Sequence, residues 1–143
     1  MDTFWIRQKF LESKQYWPVL EDIIKKDFQK FENEIGLQLK AERIFEILCQ
    51  IIIDICTHII SNSDISPPRT YSECIKNLYS LDIISKKISD EIASMVKMRN
   101  IIVHQYGDID YYLLLEGLKN IKNDYLEFQR QILKWIENQT EKK

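Results

Sequence analysis

Residues 44 to 60 read IFEILCQIIIDICTHII, and a tract this apolar has three candidate structures: a membrane span, a buried strand or a core helix. The segment IIIDI alone passes for a strand. Over the whole tract, however, Ile44, Leu48, Ile51, Ile55 and Ile59 recur at intervals of three and four, which places them on one face of a helix. Glu46, Gln50, Asp54 and His58 step by four along another face, and each would be costly in hydrocarbon. Length and period together predict a core helix over 37–61 and no membrane span.

The flanking sequence reads the same way. Residues 3–33 carry Trp17, Leu20, Ile24, Phe28 and Phe31 at helical spacing, with Pro18 marking a kink or the first turn of a second piece. SNSDISPPRT is a polar loop with the only Pro-Pro pair, and Thr70 followed by Glu73 has capping-box spacing for a short helix ending near Tyr79. A fourth helix is expected from Ser85 to Gln105, with Ile88, Ile92, Met95, Ile102 and Tyr106 facing inward and Gly107 ending it. A fifth starts at Asp108 or Asp110 and presents Leu114, Leu118, Ile121, Tyr125, Phe128, Ile132 and Trp135. The tail from 138 to 143 is expected to fray. The predicted architecture is all-α, an antiparallel bundle of four to five helices, forming a single domain over 1–143.

Composition narrows the function. With 143 residues, 45% of them hydrophobic, the chain suits one core, and three glycines with three prolines disfavour disorder and turn-dense β folds. A net charge of −2 gives no global case for nucleic acid, so any such role needs a local patch. Cys49 and Cys56 lie seven residues apart on one helix, roughly 10 Å by helical rise, too far to bridge. Buried free thiols in a reducing cytoplasm are expected. MDTFWIRQKF lacks the apolar core of a secretory leader. No CxxC or HExxH spacing, glycine-rich phosphate loop or Ser-His-Asp signature is present, so no metal or cofactor is expected.

The anomaly is MVKMRNIIVHQYGDID, residues 95–110. The inward stripe 88, 92, 95, 99, 102, 106 gives a core-facing slot to Arg99, a guanidinium that cannot shed its proton to escape burial. It needs either an ion-pair partner, Asp54 or Glu46 of the central helix, or an anionic ligand such as phosphate, and both can hold. His104 lies five residues on, about 140° around the helix, on the face of Asn100. An imidazole, with an unperturbed pKa of about 6.5, is the side chain best suited to move protons near neutrality. A lone histidine is still more often structural, and His58 is expected at the surface. Lys97, Lys119 and Lys122 are candidates to flank a cleft, and Tyr111 and Tyr112 either stack unpaired bases or pack the fifth helix.

RNIIVHQY, residues 99–106, resembles the Arg-x4-His-x-Tyr signature of the HEPN superfamily in its HepT-like toxin branch. The stretch KAERIFEILCQIIIDICTHIIS, the Pro-Arg-Thr-Tyr loop, LYSLDIISKKISDEIASMVKMRN and Asp110 fall in the family's order, so the resemblance covers roughly residues 35–135. It implies an all-helical homodimer whose motif helices meet at the two-fold axis. It further implies a metal-independent endoribonuclease acting on RNA, with transfer RNA a candidate, as the toxin of a type VII-like toxin–antitoxin pair. The implied antitoxin is a minimal, MntA-like nucleotidyltransferase that transfers AMP to Tyr106, which is then a regulated residue and not a catalytic one. Arg99, His104 and Asn100 are the implied catalytic group. Metal-free RNA cleavage needs a base, an acid and a cation at the phosphorane, and a symmetric dimer supplies the second histidine. Two other readings stay open: a non-catalytic accessory or nucleotide-binding subunit of a nucleotidyltransferase, and a structural dimerisation module in which Arg99 pairs with Asp54.

Overall fold

A computed structural model describes residues 1–104 and 109–141, with side chains left out at 103, 104, 140 and 141. Among the described residues there are seven helices: α1 (Thr3–Ser13), α2 (Trp17–Ile24), α3 (Phe28–Asn33), α4 (Ile35–Ser61), α5 (Tyr71–Ser80), α6 (Lys86–His104) and α7 (Tyr111–Glu141). The protein is all-α, as the periodicities predict, and α4 is its axis. By length and composition α4 could cross a membrane, but it packs against all six of the other helices. Ile44, Leu48, Ile51, Ile55 and Ile59 are buried on the expected face, and Phe45, Cys49, Ile52, Ile53, Cys56 and Ile60 are buried as well.

The N-terminal third differs from the expected one or two helical pieces. It breaks into α1, a 3₁₀ turn over Lys14–Tyr16, α2 and α3. Pro18 sits in the first turn of α2, where its missing N–H costs nothing. Asp27 caps α3 by accepting a hydrogen bond from Lys30 N at 2.8 Å. The apolar spacing runs on across this junction because Ile24 and Phe28 both still face the core. Tyr125 of α7 anchors the segment, fully buried with Phe10 and Trp17 edge-on at 6.2 and 5.0 Å.

α5 starts as its sequence predicts, with Thr70 Oγ1 accepting from Glu73 N at 3.0 Å. The return bond is shifted by one residue, since Glu73 Oε2 accepts from Arg69 N at 3.2 Å. The helix ends in a Schellman turn: Asp82 adopts φ 59°, Asp82 N bonds Tyr79 O, and Ile83 N bonds Leu78 O. Cys56 and Cys74 touch across the α4–α5 seam, with 2.7 Å between their sulfurs, a pairing that the spacing of Cys49 and Cys56 did not suggest.

α6 buries Ile88, Ile92 and Met95 as expected, with Ile102 partly covered. In α7 the buried stripe is Leu114, Leu118, Ile121, Tyr125, Phe128 and Ile132. Ile136 then takes the buried place expected for Trp135, which is only partly covered. α7 takes in residues 138–141 of the tail expected to fray. Gly117 allows the two helices to approach, since a Cβ there would meet Met98 Sδ at 3.1 Å.

Beside that contact Asp124 of α7 faces Glu91 of α6. Burial, and then the shared hydrogen bond with Glu91, push the Asp124 carboxyl up to about 7. A raised carboxyl pKa means that the folded state holds the proton more tightly than the unfolded chain. The associated stability is therefore complete below the ordinary carboxyl range and is lost as pH rises through about 7. Asp124→Asn, neutral at every pH, is expected to raise the melting temperature at pH 8 and to give little or no gain at pH 4. Thermal melts of both proteins across that range check the sign.

Candidate functional site

A cleft of about 980 Å³ runs between the C-terminal half of α4, the 62–70 loop, the start of α5 and the C-terminal part of α6. Arg99 and Asn100 line it from α6, and Arg69, Thr70 and Tyr71 face them. Thr57 and Ser61 of α4, with Ser63 of the loop that follows it, form one rim. Among the described residues, the charged groups of this lining are two arginines and no carboxylate, although the chain as a whole is net negative.

Arg99 is half-buried in the slot that its helix reserves for an apolar side chain. Neither candidate carboxylate meets it. Glu46 pairs with Arg43 at 3.5 Å, and Asp54 is reached only through an amide. Arg99 Nη2 donates to Gln50 Oε1 at 2.8 Å, while Gln50 Nε2 donates to Asp54 Oδ1 at 2.8 Å. The carboxylate can only accept and the guanidinium can only donate, so the orientation of the Gln50 amide is determined. Arg99 Nη1 donates to Asn100 Oδ1 at 3.2 Å, and Nε is buried with no partner among the described residues. Two neutral oxygens thus hold the guanidinium in place without cancelling its charge. The Tyr71 ring lies against it, with 6.0 Å from Arg99 Cζ to the ring centroid.

Asn100 therefore sits on the cleft wall with its oxygen engaged by Arg99. His104 is the last residue of α6. Its side chain, and Tyr106 and Gly107, lie outside the described residues. On the opposite side of the C-terminal part of α6, a second groove of about 260 Å³ is bordered by Lys97, Met98, Ile101, Ile109 and Leu113. Ile101 and Leu113 are 51% and 53% exposed there, large apolar surfaces adjoining the motif helix.

The other sequence candidates lie elsewhere. Lys119 pairs with Glu116 and Lys122 with Glu21, and neither they nor Lys97 line the arginine cleft. Tyr111 donates to Glu42 at 3.0 Å and packs on Phe31, and Tyr112 stands edge-on to Phe28, so both secure α7 to α3. His58 is half-buried: Trp5 lies against its ring at 4.9 Å, and its Nε2 accepts from Asp2 N at 3.0 Å. Burial pushes the Cys49 thiol far up despite nearby Arg99, which makes it a poor nucleophile. Among the described residues, no three His, Cys, Asp or Glu side chains are grouped to hold a metal ion. Arg69 and Gln50 are the site residues that sequence reasoning passed over. Gln50 carries a signal, as a polar residue one helical turn from Asp54 on the stripe that steps by four along α4.

The family model described as Ribonuclease HepT-like matches residues 14–132. The chain belongs to that family. HepT-like relatives include a protein named tRNA nuclease HepT from Aphanizomenon flos-aquae, 29% identical over 116 residues that cover 76% of this chain and 79% of the relative. Another is named mRNA nuclease HepT, from Shewanella oneidensis, 24% identical over 102 residues that cover 71% and 77% of the two chains. Among solved structures, the tri-AMPylated Shewanella oneidensis HEPN toxin in complex with its MNT antitoxin superposes with a TM-score of 0.79 at 23% identity, covering 89% of this chain and 95% of that one. The cytosolic Bacillus subtilis protein YutE gives 0.74 at 21% identity, over 93% and 92%. At these identities the structural matches establish the HepT-like fold.

Proposed function

We propose that the chain is the toxin of a toxin–antitoxin pair, an endoribonuclease that cleaves RNA without a metal ion in a groove shared by two copies. The observation that carries this reading is the state of Arg99: a guanidinium fixed by neutral oxygens on a cleft that no carboxylate lines among the described residues. A structural ion pair would have placed a carboxylate on it. Held in this way, it is suited to the negative charge that gathers on a phosphorane.

In the proposed reaction one His104 imidazole removes the 2′-hydroxyl proton, and the 2′-oxygen attacks the adjacent phosphorus. The P–O5′ bond breaks, and the second His104, from the other copy, protonates the departing 5′-oxygen. The products are a 2′,3′-cyclic phosphate and a 5′-hydroxyl, and the protons balance within the imidazole pair. Arg99 of each copy stabilises the equatorial oxygens, and Asn100 braces Arg99. The exposed Ile101 and Leu113 beside the motif helix support the homodimer, because apolar surface of that size at the motif calls for cover. Silencing by a minimal nucleotidyltransferase that attaches AMP to Tyr106 follows from the resemblance and from the AMPylated state of the Shewanella oneidensis toxin. An anionic adduct there would compete with RNA phosphate for the arginines.

The deciding experiment is incubation of purified protein with single-stranded RNA in excess EDTA, with the fragment ends analysed. Cleavage at an undiminished rate, with 2′,3′-cyclic phosphate ends, is expected. Intact RNA, or cleavage that EDTA stops, would overturn the proposal.

A further inference from the structure

We infer that Arg69 and Tyr71 form a nucleotide subsite of this cleft, in which Tyr71 stacks one unpaired base and Arg69 holds the neighbouring phosphate. The inference rests on the ribonuclease reading and gives its substrate a class: single-stranded RNA, recognised beside the scissile phosphate.

Four features of the cleft point to this. Tyr71 is 44% exposed, and the Arg99 guanidinium lies close to its ring, so the residue presents a π surface next to the cation assigned to the reacting phosphate. The exposed Arg69 guanidinium makes no hydrogen bond or ion pair among the described residues, and it faces into the same space. The backbone at both residues is held before any ligand arrives. Arg69 N is bonded to Glu73, Thr70 caps Glu73 N, and Pro67 and Pro68 stiffen the approach, so little backbone order is lost on binding.

The fourth feature is the hydroxyl rim. Thr57, Ser61 and Ser63 each donate to a carbonyl of α4, at 2.7, 2.9 and 2.9 Å. Their protons are committed, so toward the cleft they offer acceptor lone pairs, which suit the 2′-hydroxyl donors that distinguish RNA from DNA. A volume of about 980 Å³ is ample for a base with its flanking phosphate. Stacking on a side chain requires a base free of its partner strand, which excludes a duplex interior.

The test is fluorescence anisotropy with a labelled single-stranded RNA dodecamer, in a His104→Ala background where the RNA stays intact. Tyr71→Ala is expected to weaken binding about ten-fold and Tyr71→Phe to leave it unchanged. Arg69→Ala should weaken binding and reduce the slope of log affinity against log salt by about 0.7. An abasic nucleotide at one position should reproduce the Tyr71→Ala loss and add nothing to it. If Tyr71→Ala does not fold, the abasic scan and Arg69→Ala carry the test. Unchanged RNA affinity in both alanine variants would overturn the subsite, as would a loss confined to binding of a nucleotidyltransferase partner. The ribonuclease reading fails separately, when protein with His104 intact leaves the RNA uncut while the binding pattern holds.

Discussion

His104→Ala should reduce RNA cleavage by at least about 10³-fold, because one substitution in a symmetric dimer removes both the base and the acid, each worth about 10² to 10⁴. Single-turnover cleavage of an end-labelled RNA measures it, and relief of growth arrest on expression without antitoxin is the cellular counterpart. Mixed dimers sharpen the result. A dimer with one wild-type and one His104→Ala subunit should lose nearly as much as the double variant, since a single imidazole cannot serve both ends of the displacement. A mixed dimer with about half the wild-type rate would mean that each subunit works alone, and the two-histidine mechanism would have to be abandoned.

Arg99 is the site of the second large effect. Arg99→Ala is expected to cost about 10² to 10³ in cleavage rate, the usual loss on removing a donor aimed at developing charge. Arg99→Lys should recover only part, because an ammonium keeps the charge and loses the planar fork. Gln50→Glu is the more discriminating change. It would place a carboxylate where Gln50 Oε1 now stands, 2.8 Å from Arg99 Nη2, with little change in shape. Two unit charges 4 Å apart at an effective dielectric of 20 attract by about 4 kcal/mol, enough to compete strongly with a phosphate for the guanidinium. Cleavage should fall about 10²-fold, and the melting temperature should fall as well, because the second oxygen of the new carboxylate would face Asp54 Oδ1 where Gln50 Nε2 now donates at 2.8 Å. Gln50→Leu, which loosens Arg99 without neutralising it, should be the milder variant. The opposite ranking would mean that Gln50 matters only as a mechanical support.

The long helices were legible because their core faces repeat over many turns. Ile44 to Ile59, Ile88 to Met95 and Leu114 to Ile132 are buried as their spacing predicts. The breaks between α1, α2 and α3 were not, since the apolar rhythm continues through turns set by local capping at Asp27 and by the 3₁₀ residues Lys14–Tyr16. Arg99 was legible as an anomaly because a permanent charge interrupts an apolar stripe. The group that holds it was not: Gln50 lies 49 positions away, and no periodicity links a glutamine on one helix to an arginine on another. Arg69 escaped notice for the same reason. In a polar loop after two prolines it looks like solvated surface, and only the packing of α5 against α6 carries it to the cleft that Arg99 lines.

The amide between Asp54 and Arg99 also bears on how the reaction should respond to acidity. A carboxylate in that position would gain and lose a proton, and the grip on the arginine would change with it. Glutamine has no such transition, so the anchoring of the cation is the same in a mildly acidic as in a mildly alkaline medium. A plot of cleavage rate against pH should therefore report on the imidazoles alone, undistorted by the residue that keeps the guanidinium in place.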